Sequence, residues 1–237
     1  MVQATFKSRS NEDNLVEWDL WMTSSSDRAL DFLEDFRQLQ EAFGDNVKFT
    51  PHYVFWECIN CDASYLERDC LGGGKYCAIE PSNMLIKGTE IVFEDLRQKC
   101  LYQNLAKAGN QMQWFDYIDR VHSTCKNVIN EECSKRAHEH FKLNWDETIS
   151  CLNGSFSKPT GWEKKDVANT IIDSEIKYWK EYGTMIYPSV VINKSTYRGQ
   201  IDPLSVFNAI CAGFKTAPSQ CDKTLKRLPN EKLLVLE

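Results

Sequence analysis

No stretch of this 237-residue chain approaches the roughly 18 consecutive apolar residues that a membrane-spanning helix needs. Its opening, "MVQATFKSRS", has no apolar core of the kind a secretory leader carries, so a secreted or anchored parent would hold those signals outside these residues. Positive charge is also in deficit. Lys and Arg number 28 against 34 Asp and Glu, a formal net charge of -6, which leaves no basic stripe to neutralise phosphates. Nucleic acid and a membrane span are therefore not expected among its partners and elements. Only four histidines are present, and His138 and His140, two apart, would diverge on a helix and could not share a metal. Neither G-x-S-x-G nor H-E-x-x-H occurs. The run Gly72-Gly73-Gly74-Lys75 fails the phosphate-loop spacing, with Tyr76 where a magnesium-binding hydroxyl belongs, and reads as a turn. No metal and no cofactor are expected.

One further absence is local. In "WDLWMTSSSDRALDFLEDF" an apolar strand runs through a small polar turn into an amphipathic helix, the place where a thiol–disulfide enzyme carries C-x-x-C. Here the turn reads Thr23-Ser24-Ser25-Ser26-Asp27. Such enzymes need a thiolate held at the helix N-terminus and a second cysteine to resolve the mixed disulfide, and a serine hydroxyl supplies neither. The plain alternative is that the serines cap the helix, with Ser24 and Asp27 satisfying an S-x-x-[DE] pattern.

Cysteine, in contrast, is abundant. Cys58, Cys61, Cys70, Cys77, Cys100, Cys125, Cys133, Cys151, Cys211 and Cys221 form an even set, which favours disulfides in an oxidising compartment. Zinc is the weaker reading, because "CINCDASYLERDCLGGGKYC" lacks the paired knuckles of a zinc ribbon; unpaired core thiols are the remaining one. Connectivity is not readable from spacing. A hydrophobic content of 42% with 12% aromatics is enough for one large domain or a domain with a sizeable insertion.

Phe32, Leu33, Phe36, Leu39 and Phe43 recur at helical spacing after the serine turn, and Gly44 suits a left-handed C-terminal cap. "NVKFTPHYVFW" alternates Val47, Phe49, Tyr53 and Phe55 onto one face, with Pro51 marking an edge or a bulge. A cysteine-rich loop follows, and then helical stripes: Trp114, Ile118, Val121 and Cys125; Cys133, Ala137 and Phe141; Ile172, Ile176 and Trp179. Cysteines in such stripes would pair between neighbouring helices. "MIYPSVVIN" and "STYRG" predict a hairpin about Asn193-Lys194, and Asp202 with Pro203 starts a last helix over Leu204, Phe207, Ile210, Cys211 and Phe214.

Strand, helix, strand, helical insert, hairpin, helix is the order of a thioredoxin-like (DsbA-like) α/β fold with a large cysteine-containing helical insertion. The expected division is a linker at 1–16, a first βαβ part at 17–56, the cysteine-rich loop at 57–87, the helical insertion at 88–184, the hairpin and last helix at 185–221, and a linker at 222–237. Pro188 stands where that fold carries a cis-proline that frees the backbone of the preceding residue for an extended peptide; an ordinary trans-proline opening a strand is the alternative. Ser24, Tyr187 and Pro188 are accordingly peptide-groove candidates. Asn153-Gly-Ser and Asn193-Lys-Ser are glycosylation sequons, Asn193 being the better candidate because its turn is expected to be exposed.

"GGGKYCAIEP", "KGTEIVFEDLRQKCL", "WFDYIDRVHSTC", "EECSKRAHEHFKLNWDETISCLNG" and "PSVVINKSTYRGQIDPLSVFNAICAGF" together resemble the central luminal region of the plant-type vacuolar sorting receptors. The resemblance runs from about Trp18 to Cys221 and keeps the motifs in order with their cysteines. It implies part of a single-pass receptor of the secretory pathway that carries soluble cargo, in which a protease-associated domain precedes this region and EGF-like modules, a membrane span and a sorting tail follow. Soluble cargo protein or peptide and the adjacent receptor domains are the partners it implies, in a Golgi, prevacuolar or vacuolar lumen or outside the cell. The expected function is a non-catalytic domain that binds cargo or supports its binding. The element order also resembles the lysosomal thiol reductases and DsbA-type oxidases, so an oxidoreductase acting through Cys58 and Cys61 is the alternative. A structural piece of an extracellular assembly is the third.

Overall fold

The computed structural model describes residues 10–11, 14–58, 60–80, 85–182 and 186–222, together with the backbone of 225–227 and 233–235. In chain order it forms β1 (Val16–Met22), α1 (Asp27–Phe43), a 3-10 turn (Gly44–Asn46), β2 (Val47–Tyr53), β3 (Phe55–Trp56), α2 (Ala63–Asp69), β4 (Cys70–Leu71) and β5 (Tyr76–Ala78). It continues with α3 (Gly88–Lys107), α4 (Met112–Cys125), α5 (Glu131–His140), α6 (Trp145–Ser155), α7 (Thr170–Tyr182), β6 (Ser189–Ile192), β7 (Ser195–Thr196) and α8 (Pro203–Cys211). A second 3-10 turn (Ser219–Asp222), β8 (Leu225–Arg227) and β9 (Leu233–Val235) complete it. The chain gathers into two compact units, one of residues 1–21, 31–51 and 182–237, the other of 22–30 and 52–181.

A four-stranded sheet of order β2-β1-β6-β7 organises the first unit, with β1 antiparallel to β6 and Trp18 opposite Ile192. Val16, Trp18 and Leu20 alternate into the core. The Trp18 ring lies 4.4 Å from Phe49 and 5.0 Å from Phe36, centroid to centroid. Its buried indole N–H needs an acceptor, and it donates to Gln40 Oε1 at 2.9 Å while Gln40 Nε2 donates on to the Val47 carbonyl. Pro51 falls on β2, an edge strand, where a missing N–H costs least. Gly44 does adopt the left-handed conformation, φ +54°, at the end of α1. The hairpin turn has Asn193 and Lys194 both at positive φ, the type I′ signature, although β7 ends at Thr196 and is shorter than the "STYRG" run. Phe43 stacks on Phe207 of α8 at 4.9 Å, and Asp202 caps that helix by accepting from the Ser205 amide at 3.0 Å. Pro188 is buried behind a cis Tyr187–Pro188 bond.

Asn193 departs from its expected exposure. Its turn exists, but the residue is 5% exposed: Oδ1 accepts from the Glu17 amide at 3.0 Å and Nδ2, the atom a glycan would need, donates to the Gly213 carbonyl at 3.0 Å. A short turn between paired strands leaves its first side chain over the sheet end, where the β1 start claims it. The segment taken as a C-terminal linker contains the antiparallel pair β8 and β9, while most of 1–16 lies outside the described residues.

In the second unit Val54 interrupts the strand, so Tyr53 and Phe55 do not share one face as the alternation predicts; Phe55 belongs to β3, in a separate sheet of order β3-β5-β4. The stretch expected to be a loop, 57–87, thus holds two strands of that sheet, β4 and β5, and α2, which Asp62 caps through the Tyr65 amide at 2.9 Å. Cys70 and Cys77 stand opposite each other across β4 and β5 and are joined. The glycine turn between them is needed for close approach: the Gly72 and Gly73 amides donate to the carbonyls of Trp162 and Glu163, and a Cβ at Gly73 would lie 2.9 Å from the Lys165 Cα. Trp114, Ile118, Val121 and Cys125 form the buried stripe of α4 as expected. α7 does not follow its apolar pattern: Ile172 is buried, but Glu175 is buried in preference to Ile176 and Trp179.

All ten cysteines are paired, as Cys58–Cys61, Cys70–Cys77, Cys100–Cys151, Cys125–Cys133 and Cys211–Cys221. Two of these join neighbouring helices, α3 to α6 and α4 to α5. Cys100–Cys151 closes a loop of 51 residues and Cys58–Cys61 one of 3. By loop-closure entropy the Cys100→Ala/Cys151→Ala variant loses about 4 kcal/mol and Cys58→Ala/Cys61→Ala about 2 kcal/mol. Urea unfolding midpoints of the two variants check the order; equal losses would show that chain entropy is not what these bridges supply.

Candidate functional site

The turn between β1 and α1 is built by backbone bonds and by α3. Ser26 N donates to the Thr23 carbonyl, and the Ala29 and Leu30 amides both reach the Ser26 carbonyl, so Ser26 and not Ser24 precedes the first helical residue. Ser24 instead turns to α3: its amide donates to Asp95 Oδ1 at 2.7 Å and its hydroxyl to the Ile91 carbonyl at 3.4 Å. The capping role expected for Ser24 is thus replaced by anchoring, because Asp95 offers a charged acceptor to an amide that would otherwise be buried unpaired. Ser25 faces outward and donates to Glu80 Oε2 at 2.7 Å. Asp27, at the helix start, holds Lys126 Nζ at 2.9 Å and His122 Nε2 at 3.3 Å, and the hydrogen bond from Lys126 keeps its carboxyl below the usual carboxylate range.

These groups line a cavity of about 250 Å³ whose walls are Ser25, Asp27, Glu80, Ile86, Ile91, Lys126 and Asn127. Beside it lies Asp95, 1% exposed, with Oδ2 lacking a hydrogen-bond partner among the described residues. Burial pushes the Asp95 carboxyl well above the usual carboxylate range, and the nearby carboxylates Glu94 and Glu80 push the same way. The cavity therefore offers carboxylates, hydroxyl and amide over two isoleucines. It holds no sulfur. Cys58 and Cys61, half-buried and joined, come after β3 and before α2, and the Cys58 amide is committed to the Gly74 carbonyl at 2.7 Å.

Residues 16–211 match the family described as vacuolar sorting receptor thioredoxin-like domain. The chain belongs to that family. Vacuolar-sorting receptor 6 of Arabidopsis thaliana is 28% identical over 91% of this chain and 36% of its own length. Vacuolar-sorting receptor 7 of the same plant is 29% identical over 92% of this chain and 37% of its own. Vacuolar-sorting receptor 1 of Pisum sativum is 28% identical over 88% and 36%. The chain spans a little over a third of the length of these curated relatives. Among solved structures, alpha-DsbA1 of Wolbachia pipientis, as a variant, aligns with a TM-score of 0.50 at 10% identity over 85% of this chain and 87% of that one, a likeness of fold alone. The fold is thus the thioredoxin-like, DsbA-like α/β class with five disulfides.

Within this sorting-receptor domain the sequence-predicted groove residues are assigned to different compact units. Ser24 belongs to the second unit, Tyr187 and Pro188 to the first. Asn153 is exposed on α6. Glu80, Asp95, Lys126 and Asn127 were not singled out by sequence reasoning, and Asp27 was read only as part of a cap. A signal for Asp95 did exist: α3 carries polar residues on every face yet sits among strong core helices, a pattern that demands internal partners.

A carboxyl with its folded pKa raised above the ordinary value near 3.8 contributes stability below that value and loses it as pH rises through the folded pKa. Asp95→Asn keeps the acceptor for Ser24 and removes the charge. The variant should unfold at a higher temperature than the parent near neutral pH, by about 2–4 °C for each kcal/mol relieved, with the advantage fading toward about pH 4. Thermal midpoints across that range test it; an unchanged midpoint at neutral pH would mean that Asp95 ionises in place without cost.

Proposed function

We propose that the chain is a non-catalytic luminal domain of a vacuolar-sorting-receptor-like protein that binds soluble protein cargo or supports its binding. The observation that carries this reading is the chemistry of the β1–α1 turn. A thiol–disulfide enzyme needs a reactive thiolate at this helix N-terminus, whereas here the position is filled by serines and by Asp27, with Glu80 one hydrogen bond away. Two carboxylates would oppose any thiolate placed between them. Family membership supports the receptor reading, and five disulfides suit a secretory lumen. Protease-associated and EGF-like modules flanking this domain, with a membrane span beyond, belong to the same proposal, as does the working division into a βαβ part, a cysteine-rich segment, a helical insertion and a hairpin with its helix.

Two measurements separate the readings. In an insulin-reduction assay with excess dithiol the chain should give no rate above the uncatalysed one, and Cys61→Ser should change nothing; turnover that disappears in that variant would establish the oxidoreductase alternative. Tethered by a membrane anchor in the secretory pathway of a plant cell, the chain should retain a soluble vacuolar hydrolase that is otherwise secreted. Retention of neighbouring receptor modules without any hydrolase would favour an architectural role. In the same lumen Asn153→Gln should lower the mass by one glycan while Asn193→Gln leaves it unchanged, because only Asn153 presents a free amide; intact mass spectrometry reads both.

A further inference from the structure

We propose that the cavity at the β1–α1 turn is a receptor for one basic side chain, lysine or arginine, of an extended peptide. This rests on the cargo-binding reading and gives it a chemical class. The size is right for a single long side chain, about 250 Å³ and below the range of sites for larger ligands. So is the lining: Ile86 and Ile91 offer apolar surface to an aliphatic stem, and Glu80, Asp27, Ser25 and Asn127 offer acceptors to its charged head.

Charge decides the sign of the ligand. Lys126 balances Asp27, and among the described residues Glu80 is met by the neutral Ser25 hydroxyl and by no cation, which leaves one carboxylate of the lining in surplus there. Asp95, behind this lining, adds negative potential: it stands one helical turn from Ile91 on α3, is buried, and has an oxygen with no partner among the described residues. An anion is excluded by the same count, although a helix N-terminus alone would favour one. The cavity already holds an ammonium. Lys126 Nζ lies 2.9 Å from Asp27 Oδ2, and its side chain is 51% exposed, so it is an intramolecular stand-in that a peptide lysine could displace at little cost. Leu85 and Val128, each next in sequence to a lining residue and each exposed, give the flanking residues of a peptide apolar surface.

The test uses the whole chain and a capped hexapeptide of alanine and serine with one central lysine, titrated by calorimetry at low and high salt. Replacing that lysine by norleucine, which keeps the stem and removes the charge, should weaken binding about tenfold or more, as should Glu80→Gln in the protein. Lys126→Ala should tighten binding several-fold, since the stand-in is gone, and Glu132→Gln on the exposed face of α5 should leave it unchanged. High salt should weaken the lysine peptide more than the norleucine one. Equal binding of the two peptides by the unaltered chain would overturn the assignment whether or not any variant folds less well, as would weaker binding by a Lys126→Ala variant whose thermal midpoint is unchanged. A chain that retains the vacuolar hydrolase but shows no preference for lysine would sink the pocket and leave the receptor reading intact. One that prefers lysine but retains no hydrolase would do the reverse.

Discussion

Glu94 is the buried charge on which the second unit is arranged. It lies on α3 without solvent contact and is met by four donors: Arg97 Nε at 2.8 Å, Gln98 Nε2 at 3.0 Å, the Tyr117 hydroxyl at 3.0 Å and the Ser134 hydroxyl. Tyr117 is on α4 and Ser134 on α5, so three helices must meet at one rotational setting before the carboxylate is satisfied. Removing a partner from such a buried pair typically costs about 3–5 kcal/mol, because a charge is left unsolvated. The setting has consequences one residue on. With Glu94 directed into the helix cluster, Asp95 is placed against the β1–α1 turn to hold the Ser24 amide, and Ile91, one turn back, becomes part of the cavity lining. The site's form is therefore inherited from a hydrogen-bond network that contains none of its lining side chains.

The electrostatics of that turn differ from those a reactive thiolate at the helix start would need. A helix N-terminus stabilises negative charge, and in α1 Asp27 takes that place. Once a fixed carboxylate occupies it, Lys126 and His122 from α4 and its following turn are drawn in as counter-groups, and the remaining surplus is Glu80. Sulfur is spent elsewhere, in bridges that tie α3 to α6 and α4 to α5 and that close the short sheet of β3, β4 and β5. Cys100–Cys151 and Cys125–Cys133 thus hold neighbouring helices, and Cys70–Cys77 holds paired strands.

The elements legible in the sequence were those whose cause is local. Consecutive left-handed residues at Asn193 and Lys194 make a hairpin whatever surrounds them, Asp202 and Pro203 start a helix by their own chemistry, and the stripe of Trp114, Ile118 and Val121 buries because nothing else on α4 can. Features set by distant partners were not legible. Ser24 has the sequence of a cap, yet its amide donates to a carboxylate 71 residues away and its hydroxyl to the Ile91 carbonyl, which turns it toward α3. Glu175 displaces the apolar stripe of α7 because Lys99, His52 and the Tyr53 amide all converge on it, at 2.9 Å each. Asn193 looked exposed because turns usually are, and its burial depends on Glu17 and Gly213. The cavity combined both failures, drawing Asp27, Glu80, Ile91 and Lys126 from four separated segments with no shared spacing.

The buried titratable groups also pull against one another as pH falls, a condition relevant to any acidifying lumen. His138 has no exposure, donates from Nδ1 to the Ser134 carbonyl at 2.9 Å and packs edge-on to Tyr117 and Trp145; burial lowers its pKa. The unfolded chain takes a proton there first, so acidification below the ordinary imidazole range costs stability. For Glu175, burial works against the charge but Lys99 and His52 overcome it and hold the carboxyl below its usual range, so its contribution too is lost in acid. Asp95 has the opposite sign, since its raised pKa makes protonation a relief. Acidification through the ordinary imidazole range thus favours the unfolded chain at His138, while protonation of Asp95 removes the strain beneath Ser24. The part of the second unit built on α5 and α6 should weaken before the β1–α1 turn does, and the loosening would begin in the helices and leave the cavity wall for last.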